Sequence, residues 1–306
     1  MSYIPASRRA WSRLDDYRGP RPLPSERLIS VTSLLNPPRI VRLTALHRDE
    51  IPPPVPGEDT WSLLGTAVHA ALQKAAESMA IERTIRAIDD PEALPAPILV
   101  EHRCETQVFG WTVSGQCDLL EADGVLWDWK VTSAWSVSMG GKTEWEAQLN
   151  VLRWLLERSG AVPRGTIRGL SVWAISRDWS EKQAQRDPGY PQAQECAIPC
   201  RLWTEEECYS YVTGRLALHE AARTVLPECT PEERWARDAG FAVLKSPKAP
   251  RADRIFERRE DAERYLREIL NNKGIVEERP GTSNRCARYC KVNFACDFYQ
   301  KSLDRR

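Results

Sequence analysis

The sequence WTVSGQCDLLEADGVLWDWKVT, residues 111–132, decides the fold, because it predicts β-strands joined by a tight turn. From Val125 to Thr132 every second residue is valine or tryptophan, which is typical of a strand with two distinct faces. Asp123-Gly124 is a hairpin turn signal. We predict three short strands over residues 100–132, the last having one core face and one face that carries Asp128 and Lys130.

The length of the turn decides where Asp118 lies. A two-residue turn at Asp123-Gly124 would place Asp118 opposite Trp129 and direct its carboxylate towards the core. A three-residue loop or a bulge would instead bring it beside Asp128. We therefore predict the loop or the bulge.

Two aspartates and a lysine in this arrangement suit metal-assisted hydrolysis of a phosphodiester. Two hard carboxylates can hold a divalent cation, Mg²⁺ or Mn²⁺, which stabilises negative charge around phosphorus and activates a water. Lys130 shares the strand face of Asp128 and can place an ammonium group near the scissile phosphate. By itself, an Asp-x-Lys tripeptide is more often an ion pair on a solvated face.

Two predicted helices flank these strands. Thr60 to Ala80 contains GTAVH at 65–69, in which Gly65 would let another backbone approach while His69 reaches a metal or a phosphate. Glu144 to Ser159 is amphipathic, and Gln148 is expected to face inward beside its apolar stripe. A helical histidine or a buried glutamine is also a common structural residue.

The ordered set of motifs resembles the RecB-like exonuclease branch of the PD-(D/E)XK nuclease superfamily, to which CRISPR-associated, AddB and phage exonucleases belong. The matching segments are GTAVH at 65–69, Glu101 in LVEHR, GQCD at 115–118, DWK at 128–130, Gln148 in EAQLNVLRWLL and the cysteine-rich RCARYCKVNFACDFY. The resemblance covers residues 28–298. It implies an α/β fold with a restriction-endonuclease-like mixed central sheet flanked by helices, and a deoxyribonuclease, exonucleolytic in type, that acts on DNA in recombination, replication or degradation.

The resemblance also implies a role for each matched residue. The implied metal ligands are His69, Asp118, Asp128 and the backbone carbonyl of Trp129. Lys130 would be the catalytic lysine, and Glu101 would hold a second metal or orient a water. Gln148 would begin a Gln-x-x-x-Tyr motif, in which this chain has Leu152 instead of the tyrosine.

Three clustered cysteines, Cys286, Cys290 and Cys296, form a second candidate site. Thiolates spaced in this way bind a 4Fe–4S cluster or zinc, although free cysteines are often small buried hydrophobes. In the cluster-containing relatives the fourth cysteine comes from near the amino end, and the equivalent residues here, 30–39, contain none. The candidates for a fourth ligand are Cys104, Cys117, Cys196, Cys200, Cys208 and Cys229.

Composition limits the classes of protein. The chain has 306 residues, enough for one large domain, and no apolar run long enough to cross a bilayer. Nine cysteines without an export signal favour a reducing compartment, and we expect a cytoplasmic protein. Because the formal net charge is zero, DNA binding would depend on local basic patches. The candidate patches are Arg8, Arg9 and Arg13; Lys245, Lys248, Arg251 and Arg254; and Arg285 with Arg288.

We divide the chain into a flexible Arg/Pro-rich arm (1–27), a nuclease domain (28–298) and a tail (299–306). Within the domain, 176–199 is a polar insert, either a hairpin or mobile, and 280–298 is the cysteine-rich end segment. The other predicted elements are a strand at Leu170–Ile175, a helix at Thr204–Val225 opened by a Thr204/Glu207 capping box, and a helix at Asp261–Asn271.

Two other classes of function stay open. Loss of the tyrosine and of the fourth cysteine suits a catalytically silent nucleic-acid-binding protein of the same fold. Gly140-Gly141-Lys142-Thr143 resembles the end of a phosphate-binding P-loop and suggests an NTPase. The full P-loop pattern requires glycine where Ser136 stands, and the bulk of Trp135 and Met139 argues against it.

Overall fold

The structure is a computed structural model that describes residues 27–52, 60–90 and 97–303. The strands are β1 (Leu28–Ser30), β2 (Leu99–Val100), β3 (Arg103–Val108), β4 (Trp111–Gln116), β5 (Leu119–Leu120), β6 (Val125–Thr132), β7 (Gly169–Ser176), β8 (Glu195–Cys200), β9 (Ala236–Arg237), β10 (Gly240–Leu244), β11 (Arg254–Phe256), β12 (Ile275–Arg279) and β13 (Thr282–Ser283). The helices are α1 (Val31–Leu35), α2 (Pro38–Leu46), α3 (Thr60–Asp89), α4 (Ala134–Ser138), α5 (Thr143–Arg158), α6 (Glu181–Ala184), α7 (Glu205–Ala221), α8 (Arg259–Glu268), α9 (Asn284–Arg288) and α10 (Asp297–Leu303). Short 3-10 turns lie at Arg48–Glu50 and Asn293–Ala295.

The chain forms two compact units. Of the described residues, the first unit contains 27–36, 60–90 and 97–220, and the second contains 37–52 and 221–303. Mixed sheets flanked by helices confirm the predicted α/β class. The predicted nuclease domain, 28–298, includes residues of both units, and its boundaries stay a prediction.

The first unit contains two sheets. One has the strand order β1-β4-β3, and the other has the order β2-β5-β6-β7-β8. The β1–β4 and β6–β7 pairs are parallel, whereas the remaining pairs of these sheets are antiparallel. β4 and β5 belong to different sheets but follow each other directly, so the chain passes between the sheets at Cys117-Asp118.

The loop between β5 and β6 has the predicted length. Leu120 lies opposite Leu126, and the Glu121 N–H donates to the Val125 carbonyl at 3.1 Å, which leaves a three-residue loop at 122–124. Gly124 has a φ of 86°, a conformation that favours glycine. The predicted three-residue loop is confirmed, and its register, continued by one residue, brings Asp118 alongside Asp128.

The prediction of three strands over residues 100–132 is wrong, because five shorter strands, β2 to β6, occupy this range. β2 ends just before Glu101, whose φ of 46° lies in the left-handed region, and β4 ends just before Cys117. The two interruptions face each other. The Glu101 N–H donates to the Asp118 carbonyl at 2.9 Å, and the Cys117 N–H donates to the His102 carbonyl at 3.0 Å.

Both faces of β6 are covered, which corrects the expectation of one core face and one chemical face. Leu126 is fully buried in the main core, whose largest contributor is α5. Asp128 shares that face of the strand. On the other face, Trp127 and Trp129 pack with Leu72 and Ala76 of α3 in a smaller cluster.

The predicted helices are present with shifted ends. α3 begins at Thr60 as predicted but continues to Asp89, and α5 starts and ends one residue before the predicted range. The capping box before α7 is confirmed, since the Thr204 N–H donates to Glu207 at 2.7 Å and the Glu207 N–H donates to Thr204 Oγ1 at 3.1 Å. The helix predicted at 261–271 is α8, Arg259–Glu268.

The predicted strand at 170–175 is β7, Gly169–Ser176, and the insert at 176–199 is a hairpin, because β8 pairs antiparallel with β7. The arm lies outside the described residues except for Arg27, which pairs with Glu220 at 2.9 Å. Arg8, Arg9 and Arg13 therefore also lie outside the described residues.

The second unit contains a β11-β10-β12 sheet, against which α8 packs, and a β13-β9 pair. Its small core contains Leu43 of α2 with Val292 and Cys296 of the end segment. In the predicted basic patch after β10, Lys245 pairs with Asp253 at 2.8 Å. The predicted tail begins inside α10.

No helix within the described ranges is both long enough and apolar enough to cross a lipid bilayer.

Substitution of Gly115 by alanine should destabilise the first unit. A Cβ at this β4 position would lie 2.6 Å from Leu152 Cδ2 and 3.0 Å from Val31 Cγ2. We expect Gly115→Ala to lower the free energy of unfolding, measured by urea denaturation, by about 1–3 kcal/mol, as overpacking of a core does.

Gly65→Ala is the matched control. Apart from the helix's own backbone, no atom of the described residues lies within 4 Å of a Cβ added at Gly65, so the close backbone approach expected there is wrong. Alanine inside α3 should stabilise the chain by about 0.5–1 kcal/mol through helix propensity. Equal unfolding free energies for the two variants would contradict the packing described for Gly115.

Candidate metal centre

Three side chains from separate segments converge in the first unit. The ligand atoms of His69, Glu101 and Asp118 all lie within 4.8 Å of one another, and His69 Nδ1 is 3.7 Å from Asp118 Oδ2. His69 and Asp118 are buried, and Glu101 is half-buried. One imidazole and two carboxylates form a donor set that fits a divalent cation such as Mn²⁺ or Mg²⁺.

The two interruptions of the strands position this set. Glu101 directly follows β2, and Asp118 directly precedes β5, so both carboxylates lie where the chain leaves regular pairing. α3 packs across β2 and β6 and brings His69 to the same place. The left-handed backbone of Glu101 is uncommon for a residue with a side chain, and such conformations cluster at functional sites.

Asp128, Lys130 and Gln148 form the adjoining part of the site. Asp128 is 2% exposed, and its Oδ1 accepts a hydrogen bond from Gln148 Nε2 at 3.0 Å. Lys130 Nζ lies 2.5 Å from Asp128 Oδ2. The two charged residues share one face of β6, and α5 supplies the glutamine.

Trp129 connects the two groups. Its backbone N–H donates to Asp118 Oδ2 at 2.8 Å, and its ring lies edge-on to the His69 ring with 5.9 Å between centroids. The predicted site residues His69, Glu101, Asp118, Asp128, Trp129, Lys130 and Gln148 are therefore all brought to one part of the first unit.

Burial and charge act together on Asp118. Desolvation raises the pKa of this carboxyl to about 7, and the charge of the neighbouring Asp128 acts in the same direction. Lys130 and the Trp129 N–H oppose the rise. A cation bound beside the two aspartates would favour their ionised forms.

A cleft of about 470 Å³ opens onto Asp118 and Asp128. Its walls come from β1, α1, β3, β4, β6 and α5. The polar side chains among them, besides the two aspartates, are those of Ser30, Thr32, Ser33, Arg103, Ser114, Gln116, Lys130 and Gln148. Leu152, which occupies the position of the tyrosine in the resembling family, also lines the cleft. The lining of the cleft is therefore mostly polar, and Val31 and Leu152 are its apolar side chains.

Sequence reasoning gave no role to Arg103 and Gln116. Gln116 Nε2 donates to Glu101 Oε2 at 2.5 Å, and Arg103 donates to Gln116 Oε1 at 2.8 Å. The two residues lie opposite each other in the β3–β4 register. The only signal was the position of Gln116 two residues before Asp118, inside the GQCD motif.

The other two sequence motifs lie elsewhere. Cys286, Cys290 and Cys296 line one small cavity of the second unit. The glycines at 140 and 141 follow α4, which separates them from β6. The loop therefore does not have the strand–loop–helix order that a P-loop requires.

Comparison with known proteins finds a weak structural similarity. No protein-family model matches the chain, and no curated protein matches it. Among solved structures, the crystal structure of SSO0001 is similar, with 16% sequence identity and a TM-score of 0.41 over 65% of this chain and 79% of that one.

Asp118→Asn tests the electrostatics of the site. The pKa of Asp118 is raised from its ordinary value of 3.8 to about 7 in the folded chain. The protonated carboxyl therefore contributes stability that is fully present below pH 3.8 and is lost as the pH rises through about 7. With metal removed at about pH 8, Asp118→Asn should therefore raise the melting temperature by about 2–4 °C, the effect of ~1 kcal/mol. The gain should disappear at about pH 5, where the folded parent is protonated.

Asp123→Asn, at the exposed turn of the same hairpin, is the control. It should leave the melting temperature unchanged at both pH values. Added Mn²⁺ should raise the melting temperature of the parent and of the control but not of Asp118→Asn. Two results together would contradict the site described. They are a metal-free Asp118→Asn chain that melts below the metal-free parent, and a melting temperature of Asp118→Asn that still rises with Mn²⁺.

Proposed function

We propose that this chain is a divalent-metal-dependent deoxyribonuclease that hydrolyses DNA phosphodiester bonds, acting as an exonuclease in recombination, replication or degradation of DNA. The observation that carries the proposal is the meeting of His69, Glu101 and Asp118 beside the Asp128–Lys130 pair. The proposed compartment is the cytoplasm, since nine free cysteines suit a reducing environment.

The chain's own donors define which groups would hold the ion. His69, Glu101 and Asp118 are already gathered, and Asp128 with the Trp129 carbonyl lies next to them on β6. When bound, Mg²⁺ or Mn²⁺ would offset charge on the scissile phosphate and lower the pKa of a coordinated water.

Lys130 is placed to neutralise a phosphate. Its side chain is about one quarter exposed, and it pairs with the buried Asp128 in the same cleft. A phosphate oxygen entering the cleft would offer this ammonium a second anionic partner. Charge that develops on the phosphate during attack would then be stabilised by a preplaced cation.

Gln148 and Gln116 act as positioning residues. Gln148 holds Asp128 from α5, and Gln116 holds Glu101 from β4. Each amide donates a hydrogen bond to one oxygen of a carboxylate and so restricts the orientation of that carboxylate. Arg103, which donates to Gln116 and lines the cleft, adds a cationic group for contact with the DNA backbone.

The second candidate is a catalytically silent nucleic-acid-binding protein of the same fold. One observation favours it: Leu152 lines the cleft and cannot supply the hydroxyl that the resembling family places there. Against it, the Asp118, Asp128 and Lys130 side chains are all present and close together.

Cleavage assays with Asp128→Ala and Lys130→Met separate the two candidates. We expect the parent to degrade labelled single- or double-stranded DNA with Mn²⁺ or Mg²⁺ and not with a chelator. Each variant should lose roughly 100-fold or more of the rate, because each loses charge stabilisation that matters in the transition state. Lys182→Met, an exposed lysine of α6, is the control and should cut at the parental rate.

Two results would decide against the proposal. A parent that binds DNA but does not cut it with any divalent metal would favour the silent protein. Cutting that persists in both variants at the level of Lys182→Met would assign the activity to another site or to a contaminant.

A further inference from the structure

Four cysteines of the second unit line the same small cavity. Three come from the end segment: Cys286 lies on α9, Cys290 follows that helix, and Cys296 ends the second 3-10 turn. The fourth is Cys229, which lies between α7 and β9, far earlier in the sequence. The remaining cysteines, Cys104, Cys117, Cys196, Cys200 and Cys208, belong to the first unit.

A buried arginine joins the two segments that carry these thiols. Arg39 of α2 is 4% exposed, and its Nε donates to Cys296 Sγ at 3.2 Å. Its Nη1 donates to the carbonyls of Leu226 at 3.2 Å and Pro227 at 3.0 Å, just before Cys229. One side chain therefore fixes the backbone leading to Cys229 against the sulfur of Cys296.

Other hydrogen bonds orient the two segments. Arg234 donates to the carbonyl of Cys229 itself at 2.6 Å, and Arg285 donates to the Glu233 carbonyl at 3.4 Å. Asn293 donates to the carbonyl of Cys286 at 2.9 Å. The ligand-bearing backbone is thus held by side chains, with little regular secondary structure around it.

The charges around the cavity suit a thiolate centre. Arg39, Arg234 and Arg285 all line it, against one carboxylate, Glu233. Four thiolates around Zn²⁺ or around a 4Fe–4S cluster leave a net negative charge, and a guanidinium that donates to a ligand sulfur offsets part of it. Arg39 already donates such a hydrogen bond to the sulfur of Cys296.

We propose that Cys229, Cys286, Cys290 and Cys296 form one four-thiolate centre for a soft metal, a 4Fe–4S cluster or Zn²⁺, in which Cys229 supplies the ligand that the end segment lacks. Both occupants share the same ligand chemistry, four cysteine thiolates. The amino-end residues 30–39, which hold the fourth cysteine in the resembling family, contribute Arg39 here instead of a thiol. This centre depends only on the second unit and does not require the chain to be a nuclease.

Metal content of the full chain tests the proposal. We would purify the parent, Cys229→Ser and Cys196→Ser without oxygen and measure iron, acid-labile sulfide, zinc and the sulfide-to-iron absorbance. The parent and Cys196→Ser, a half-buried cysteine of β8, should contain the same amount of metal. Cys229→Ser should retain less than about one tenth of it, since four thiolates bind these metals as a set. Equal iron and sulfide would identify the cluster, and zinc alone would identify the zinc site.

Alkylation of the parent chain avoids the risk that Cys229→Ser misfolds. Mass spectrometry should find Cys229, Cys286, Cys290 and Cys296 protected together in the metal-loaded chain and modified together once a chelator or an oxidant removes the metal. Parental metal content in Cys229→Ser would overturn the proposal. So would an anaerobic parent without iron or zinc, or a Cys229 that is alkylated while the other three stay protected.

Discussion

Burial of two neighbouring carboxylates is the constraint on which the site in the first unit depends. Asp118 and Asp128 are almost inaccessible to solvent, and ionised groups in such surroundings cost several kcal/mol each unless they are paired, as an order of magnitude. The chain compensates each of them differently. Asp118 accepts the Trp129 N–H and approaches His69, whereas Asp128 has Lys130 and Gln148. Desolvation raises the pKa of Asp118, and the charge of Asp128 adds to the rise.

The interruptions of the strands follow from the same constraint. In an unbroken strand, Asp118 would have its neighbours fixed by the ladder of the sheet. Because the chain changes sheets at Cys117-Asp118, the carboxylate lies where regular pairing stops, and ligand atoms of His69 and Glu101 lie within 4.8 Å of it. Two backbone hydrogen bonds, from Glu101 to Asp118 and from Cys117 to His102, hold the two interruptions side by side.

The local features of the site were predictable from sequence because they depend on short-range rules. Alternation placed Asp128 and Lys130 on one face of β6, the glycine at 124 set the loop and the register, and the Thr204/Glu207 pair marked the start of α7. No local rule indicated the ends of β2 and β4, since neither strand is followed by glycine or proline and Gly115 lies inside β4. The contacts of Gln116 depend on the register of β3, and Cys229 meets the other thiols only through tertiary packing. Such long-range pairings leave no periodic trace in one sequence.

The bonds of Arg39 have a consequence for the order in which the chain folds. Residues 37–52 and 221–303 make up the second unit. The residues between these two segments belong to the first unit. During synthesis α2 emerges early, while the partners of Arg39 at 226, 227, 296 and 297 emerge much later. Until then this guanidinium has none of its native acceptors. The long loop between α2 and residue 226 must therefore close before these hydrogen bonds can form. The first unit can meanwhile acquire most of its contacts, since its last residue is 220. The second unit is completed last, although its first segment, 37–52, is made before most of the first unit.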